Sequence, residues 1–436
     1  MEKIKVTSRM RSFNNEFEES FHPRYDADGI LHEEKVLANE CDYACATYHR
    51  TSSDKGKTWT EWEKCFNDNE DGRHWQVKGM EEGDEYTGVM FRGLYDPKSG
   101  CTLSMGGSTY YLKGHNVGYF DMWWKGEDNL RSHGYWKVTY PDGREVVKMF
   151  EFEEGGCDYD PENPRNPDFL DKNRCFAGDM FFLPDGDICF NVFPTVRLAC
   201  KLAGVDVNGF FPSCPDLHIA MIVARAHWNG EDYDFTYSNP IMLSDLQSSR
   251  GIMEPHMTIL PDGRFLLVLR GSNLKLDVWH TRIGKHTPSY KWFTISEDGG
   301  KTFAPLAPWH FDTGEVIYSS ASVHKFYRCP KNGKLYWIGN VIDDPSVIDG
   351  NDPRFPLQIC EVDEVNACLI KDTMVVIDTI RDGQTSVELS NFELLEDPDT
   401  KDLQIHMTKI NFNGKIQEDG YWYSEAWEYD VEFPEN

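Results

Sequence analysis

Residues 296–303 read Ser-Glu-Asp-Gly-Gly-Lys-Thr-Phe, and residues 52–59 read Ser-Ser-Asp-Lys-Gly-Lys-Thr-Trp. Both stretches fit the pattern S-x-D-x-G-x-T-[W/F], and each follows a short run of strand-forming residues. In such a turn the serine and aspartate side chains accept hydrogen bonds from backbone N–H groups, while glycine supplies a positive φ. The final aromatic side chain packs beneath the turn. Because the pattern occurs twice in one chain, it predicts an internal structural repeat.

Tight-turn signals recur along the chain between short apolar or alternating segments. Asp185-Gly186, for example, separates an apolar run at 180–183 from another at 188–193. The order of strand, two-residue turn and strand is typical of antiparallel hairpins. Helical periodicity is short and is best developed at 195–204. The sequence therefore predicts an all-β fold.

The hairpins divide the chain into sheets of roughly 60–70 residues, which is typical of a β-propeller. We predict six blades in a single domain spanning 1–436, with seven blades as the alternative. The last strands are expected to pair with the first and to close the ring. Blades are predicted near 40–65, 85–125, 175–240, 252–305, 315–380 and 383–430, and 133–152 is a further candidate blade.

The chain is acidic, since 73 Asp and Glu residues against 44 Lys and Arg residues give a formal charge of -29 over 436 residues. This charge argues against nucleic acid and anionic membranes as partners. The sequence has no apolar run long enough to span a membrane and no visible signal peptide. Its 12 cysteines are scattered and do not form the dense spacing of a disulfide framework. We therefore expect a cytoplasmic protein with free thiols, no metal site and no cofactor.

One predicted hairpin carries a carboxylate and a guanidinium at the same end. Glu254 precedes a predicted strand, Asp262-Gly263 forms the turn, and Arg270 ends the return strand. Because the two strands are antiparallel, Glu254 and Arg270 are expected to meet. The alternative is an exposed ion pair at the end of a blade, which contributes little to stability.

A second candidate is Tyr318, which precedes a hairpin with its turn at Asn332-Gly333. A phenol has a pKa of about 10 and is a poor nucleophile unless a carboxylate removes its proton. A tyrosine with a carboxylate beside it is therefore suited to nucleophilic catalysis. The alternative is that Tyr318 is an aromatic residue of the core.

These features together resemble the sialidase-type β-propellers, in which the repeated turn is called the Asp-box. The resemblance is strongest over 52–340. It implies a retaining glycoside hydrolase that removes a terminal acidic sugar from a glycan, with Tyr318 as nucleophile, Glu254 as its base and Arg270 as a ligand for the substrate carboxylate. It also implies that the Asp-boxes lie away from the active site and are not catalytic.

Other parts of the family pattern are missing from this sequence. Sialidases hold the substrate carboxylate with three arginines, one of them in a Phe-Arg-Ile-Pro motif that is absent here. Arg250, Arg328 and Arg354 are the candidate substitutes. Arg250 and Arg354, together with Asn273 and His256, complete the predicted substrate-binding set. Asp42, on a predicted strand before the first Asp-box, is the candidate general acid.

Two further functions fit the sequence. Related propellers that act on uronic acids use a histidine, and His256, two residues after Glu254, is the candidate for a lyase or a histidine-dependent glycosidase. Proton transfer by this histidine at neutral pH would need no large pKa shift. The third hypothesis is a propeller that binds carbohydrate without reacting, because a fold does not determine a function.

Overall fold

The computed structural model is a ring of six antiparallel β-sheets, each of which forms one blade. The six-bladed β-propeller predicted from the sequence is therefore confirmed, and the alternative of seven blades is not. The single domain predicted over 1–436 stays a prediction. The structure describes residues 4–26, 28–40, 43–67, 85–90, 93–112, 129–273, 282, 287–384, 386–412 and 422–434.

The strands follow one another around the ring. The first strand, β1 (Lys5–Asn14), belongs to blade 6. Blade 1 contains β2 (Glu18–Tyr25), β3 (Leu31–Glu40), β4 (Tyr43–Ser52) and β5 (Glu63–Asn67). Blade 2 contains β6 (Glu85–Met90), β7 (Leu94–Tyr95), β8 (Thr102–Tyr111), β9 (Leu130–Thr139) and β10 (Glu145–Met149). Blade 3 contains β11 (Cys175–Phe182), β12 (Ile188–Pro194), β13 (Ile222–Trp228) and β14 (Tyr233–Tyr237).

The second half of the ring has the same arrangement. Blade 4 contains β15 (Met253–Ile259), β16 (Phe265–Arg270), β17 (Lys291–Ser296) and β18 (Ala307–Pro308). Blade 5 contains β19 (Lys325–Arg328), β20 (Leu335–Asn340), β21 (Leu357–Asp363), β22 (Cys368–Leu369) and β23 (Val375–Asp378). Blade 6 contains β24 (Ser386–Glu388), β25 (Phe392–Glu396), β26 (Leu403–Phe412) and β27 (Trp422–Glu432), with β1 at its edge.

The two ends of the chain meet in blade 6. β1 pairs antiparallel with β27, from Lys5 opposite Glu432 to Asn14 opposite Ser424. The N-terminal strand thus completes the blade that the C-terminal strands build. The predicted pairing of first and last strands is confirmed.

One predicted division between segments is wrong. The segments 85–125 and 133–152 were expected to be separate, yet β8 pairs with β9 along their whole lengths, from Thr102 opposite Thr139 to Tyr111 opposite Leu130. Both segments therefore belong to blade 2. Turn signals divide a sequence wherever a connection is long, but only strand pairing shows where one sheet ends.

Helices are short in the described part of the chain. The predicted helix at 195–204 is confirmed: the Thr195 hydroxyl accepts a hydrogen bond from the Leu198 N–H, and Gly204 ends the helix in the left-handed conformation. No helix among the described residues has the length and hydropathy of a membrane span. The eleven cysteines of the described residues are free thiols. The helices are α1 (Pro167–Asp171), α2 (Val196–Ala203) and α3 (Val207–Phe210), with 3₁₀ turns at Pro345–Val347 and Lys371–Thr373.

The core lies between neighbouring blades, as β16 shows. All six residues of this strand are buried, because both faces of its sheet are covered. Successive side chains point to opposite faces, so Leu267 packs in the cluster shared with blade 3 and Val268 in the cluster shared with blade 5. Arg270 ends this apolar strand and is thereby held in a fixed position at one end of the blade.

Candidate functional site

The two repeated turns have the same hydrogen bonds. In the second turn the Ser296 hydroxyl accepts from the Gly300 N–H at 2.9 Å and donates to the Asp298 carboxylate at 2.8 Å. Asp298 accepts from both the hydroxyl and the backbone N–H of Thr302, and these bonds lower its pKa to about 2. The turn at 52–59 repeats these bonds. The shared pattern explains why the same residues recur at the same spacing.

The second turn lies at the opposite end of blade 4 from the Glu254–Arg270 hairpin end. Ser296 pairs with Phe265 at the start of β16, whereas Lys291 pairs with Arg270 at its end. A strand advances about 3.3 Å per residue, so the two ends are about 17 Å apart. The turn therefore lies far from the predicted site.

The hairpin brings Glu254 and Arg270 into contact. Glu254 is the second residue of β15, not the residue before the strand as the sequence suggested, and Met253 pairs with Arg270. The Arg270 Nη2 atom lies 2.9 Å from Glu254 Oε1. Arg270 also donates through Nη1 to the carbonyl of Ala321 at 2.9 Å. The side chain of Arg270 is only 7% exposed, so the pair differs from the exposed ion pair considered as the alternative.

Glu254 has an unusual backbone conformation. Its φ is +45°, in the left-handed region that residues other than glycine rarely adopt. It lies where the pairing of β15 with β16 shifts register, between Met253 and His256. Such bulges redirect side chains and are common near active sites. A strained residue of this kind costs on the order of 1 kcal/mol and persists because its surroundings hold it.

A cavity of about 340 Å³ lies where the first strands of blades 3, 4 and 5 meet. Glu254 and His256 face it from β15, and Lys325 faces it from β19. Blade 3 contributes Asp179 and Asn191 to its wall. Neither Tyr318 nor the arginines of the predicted set line this cavity.

The pKa of His256 differs from the ordinary value that the sequence led us to expect. Burial, together with the nearby charge of Lys325, lowers its pKa to about 4, so its ring is neutral at neutral pH. The backbone N–H of Phe326 donates to its Nδ1 atom at 3.3 Å. A histidine with this pKa is not a proton donor at pH 7, contrary to the expectation that no large shift was needed.

Tyr318 is half-buried and lies next to another tyrosine. It forms an isolated β-bridge with Tyr290, and the two ring centroids are 5.4 Å apart. Burial, and to a lesser degree Tyr318, raises the pKa of Tyr290. Tyr318 and Glu254 are both among the described residues, and no hydrogen bond joins them. Sequence reasoning missed Tyr290, although its place before an Asp-box strand was a usable signal.

Lys291 is a buried lysine that sequence reasoning also missed. Its side chain is fully buried, and Nζ donates to the carbonyl of Ser322 at 2.5 Å and to its hydroxyl at 3.3 Å. Burial, followed by the charges of Arg270 and Arg354, holds its pKa well below the usual 10.5, although Glu254 acts in the opposite direction. Lys291 lies opposite Arg270 in the sheet. Because this register is known only once β16 and β17 are paired, the sequence alone does not single out Lys291.

Arg250 and Arg354 lie at the same end of the propeller as Arg270. Arg250 donates through Nη1 to the side chain of Asn351 at 3.1 Å. Arg354 lies three residues after Asn351 in the same loop, and its Nη1 atom is 2.7 Å from Glu388 Oε2. All three arginines are buried. The loop at 349–354 therefore connects two of them.

Asn273 holds this loop against the end of β16. Its carbonyl accepts from the Gly350 N–H at 2.9 Å, and Gly350 in turn accepts from the Ala321 N–H at 2.9 Å. The Asn273 side-chain amide donates to the carbonyl of Pro288 at 2.8 Å. Asn273 thus binds neighbouring backbone, and its predicted contact with substrate stays a prediction.

Solved structures share this fold. A protein of unknown function from Dyadobacter fermentans aligns over 99% of this chain and 100% of its own, with a TM-score of 0.52 and 14% identity. A mutant of the NanB sialidase from Streptococcus pneumoniae aligns over 96% of this chain and 70% of its own, with a TM-score of 0.50 and 12% identity. The fold is that of a sialidase-like β-propeller. No protein-family model and no curated protein matches the chain.

The general acid predicted from the sequence stays a prediction. Asp42, the predicted residue, lies outside the described residues. Asp352, which sequence reasoning missed, lies in the loop that carries Arg354. Burial of its carboxyl raises its pKa, and Arg354 partly opposes this, although the residue as a whole is exposed. A carboxyl that keeps its proton more readily than usual is suited to protonating a leaving group.

Proposed function

We propose that this sialidase-like propeller is a glycosidase that removes a terminal acidic sugar from a glycan. The observation that carries the proposal is the group of Arg250, Arg270 and Arg354 at one end of the ring. Arg270 binds the segment that follows Tyr318, at Ala321, so a sugar bound by the arginines lies beside that segment. The NanB protein, which shares the fold, is a sialidase.

The electrostatics favour an anionic ligand at this end. Arginine binds carboxylates through two parallel hydrogen bonds and stays charged when buried. The chain carries a formal charge of -29, yet three arginines and Lys291 gather here. A carboxylate therefore finds this end more favourable than the acidic surface elsewhere.

In the proposed reaction the Tyr318 oxygen attacks the anomeric carbon and forms a glycosyl–tyrosine bond while the bond to the leaving oxygen breaks. Glu254 takes the proton of the phenol, and a protonated aspartic acid, Asp42 or Asp352, gives its proton to the leaving oxygen. Water then hydrolyses the intermediate, so the configuration at the anomeric carbon is retained. Glu254 must leave Arg270 before it can serve Tyr318, because the structure pairs it with the guanidinium.

The test is a set of 4-methylumbelliferyl glycosides. We expect hydrolysis of the N-acetylneuraminate or the glucuronide and none of the neutral galactoside. Tyr318→Phe is expected to lower kcat about a thousandfold, since the nucleophilic oxygen is lost. Tyr290→Phe is the matched control, and its effect is expected to stay below tenfold. Unchanged turnover in Tyr318→Phe would sink the mechanism, and an inverted product seen by NMR would contradict retention.

A binding protein without activity is the second candidate. The absence of a hydrogen bond between the described residues Tyr318 and Glu254 favours it. Binding of an acidic sugar without release of the fluorophore would support it. The histidine-dependent lyase is less well supported, because His256 has a pKa of about 4 and already accepts a hydrogen bond from Phe326. An unsaturated product that absorbs in the ultraviolet would support the lyase.

A further inference from the structure

The carboxylate of Glu254 occupies a side of Arg270 on which a ligand would bind. One terminal nitrogen, Nη1, donates to the carbonyl of Ala321 and thereby fixes the orientation of the guanidinium. The other, Nη2, lies 2.9 Å from Glu254. An anion that is to bind Arg270 at Nη2 therefore has to replace Glu254.

Of the two partners in this ion pair, Glu254 has the side chain that can move away more easily. Its side chain is 39% exposed, against 7% for Arg270, and it faces the central cavity of about 340 Å³. The cavity gives the carboxylate room to move without unpacking the core.

The other cations of the site have partners of their own. Arg354 pairs with Glu388, and Lys291 donates to Ser322. If Glu254 moved away without a replacement, the buried guanidinium of Arg270 would lose the carboxylate that it contacts at 2.9 Å. Removing one partner of a buried ion pair is costly, so an incoming negative charge favours the exchange.

We propose that Glu254 is a counterion that a ligand's carboxylate displaces from Arg270, so that the site accepts acidic sugars and rejects neutral sugars of similar shape. The proposal rests on the proposed function for the class of ligand. Exchange of one carboxylate for another keeps the charge balance of Arg270, whereas a hydroxyl group cannot replace the ion pair. Discrimination therefore comes from an interaction that the wrong ligand fails to replace.

The displacement also connects binding to the reaction. Once the ligand carboxylate has taken its place beside Arg270, Glu254 is no longer held in that ion pair and can turn toward Tyr318. The base that Tyr318 needs is thus released by binding of the acidic substrate.

The proposal is tested by calorimetric titration with N-acetylneuraminate and D-glucuronate, with D-glucose as the neutral probe. Glu254→Gln removes the competing charge, so the Kd of the acidic sugar that binds is expected to fall about fivefold to tenfold. Its turnover is expected to fall at the same time, because the base is lost. Tighter binding with slower turnover is a combination that a purely structural role for Glu254 does not produce.

Glu364→Gln is the matched control. Glu364 pairs with Arg328, which also contacts the carbonyl of Ile259 at the far end of β15, so the variant removes the same charge from a distant arginine. It is expected to leave both Kd and turnover unchanged. An equal change in this variant would mean that net charge, not displacement, is responsible, and would overturn the proposal.

The remaining outcomes also decide the question. Unchanged or weaker binding of the acidic sugars in Glu254→Gln overturns the proposal, and so does tighter binding of glucose. If thermal unfolding shows that this variant does not fold, Glu254→Asp, which withdraws the carboxylate from Arg270, replaces it with the same expected direction. A wild-type protein that binds acidic sugars without hydrolysing them refutes the proposed glycosidase but leaves the displacement testable by Kd alone.

Discussion

Lys291 has the most unusual environment of the residues around the candidate site. Its side chain is fully buried, and its amine binds Ser322 rather than a carboxylate. Arg270 binds the neighbouring residue Ala321. The segment that follows Tyr318 is therefore held by two buried cationic side chains. In the proposed reaction Lys291 is a positioning residue, because it holds the segment that follows the proposed nucleophile Tyr318.

We predict that Lys291→Met lowers kcat about tenfold on the acidic glycoside that the wild type hydrolyses. The methionine fills the space of the lysine stem but leaves the Ser322 carbonyl without its donor, so the segment carrying Tyr318 is held less firmly. The measurement is steady-state kinetics together with thermal unfolding. A fall in apparent kcat that only mirrors loss of folded protein would contradict a positioning role, as would unchanged kcat in a fully folded variant.

The contact between Glu254 and Arg270 was predictable because it is local. A single antiparallel hairpin sets their register, and both ends of that hairpin are marked in the sequence. The partners of the other arginines were not predictable in this way. Arg250 meets Asn351, which is 101 residues away, through loops that carry no periodic signal. Contacts of this length depend on how whole blades pack, and one sequence does not contain that information.

At the scale of elements, the repeated turn is the feature that the sequence described best. Its hydrogen bonds are all within eight residues, so the residue types determine them directly. The short helix α2 was predictable for the same reason, since Thr195 and Gly204 mark its ends. That the segments 85–125 and 133–152 belong to one blade was not predictable. The two strands that join them, β8 and β9, are separated by a long connection.

We predict that Ser296→Ala lowers the free energy of unfolding by about 1–2 kcal/mol, because the buried Gly300 N–H loses its acceptor. Ser52→Ala is the equivalent change in the first turn and is expected to have an effect of similar size. Both are measured by urea denaturation. Turnover and Kd are expected to stay unchanged, since the second turn is about 17 Å from Arg270 along β16.

The two substitutions in the repeated turns also control for each other. Because the turns lie in different blades, the effects on stability are expected to add in the double variant within about 0.5 kcal/mol. A loss of activity in either folded variant would contradict a purely structural role for the turns.

At the scale of the whole molecule, buried histidines make the fold sensitive to acid. Burial lowers the pKa of His133 and His256 to about 4 and of His218 and His406 to about 3. The unfolded chain binds protons at these positions near pH 6.5, while the folded protein does not. The stability that depends on neutral rings is therefore present above pH 6.5 and is lost as the pH falls toward 4.

We predict that the free energy of unfolding falls between pH 7.5 and pH 5, by on the order of 2 kcal/mol per buried histidine. Urea denaturation at the two pH values measures the difference. In His133→Phe, where the ring lies against Phe169 at a centroid distance of 4.7 Å, the difference is expected to shrink. The variant His227→Gln changes an exposed histidine and is the control. Equal or greater stability at pH 5 would refute the prediction.

The closure of the ring by β1 and β27 also affects how the chain is made. Arg9 and Glu428, which meet across this pair, are 419 residues apart in the sequence. On a ribosome, β1 emerges first and has no partner until β27 has been synthesised. Blades 1 to 5 can therefore assemble in order during translation, while blade 6 waits for β27. A chain that stops early keeps an unpaired β1, which is an edge open to other nascent chains.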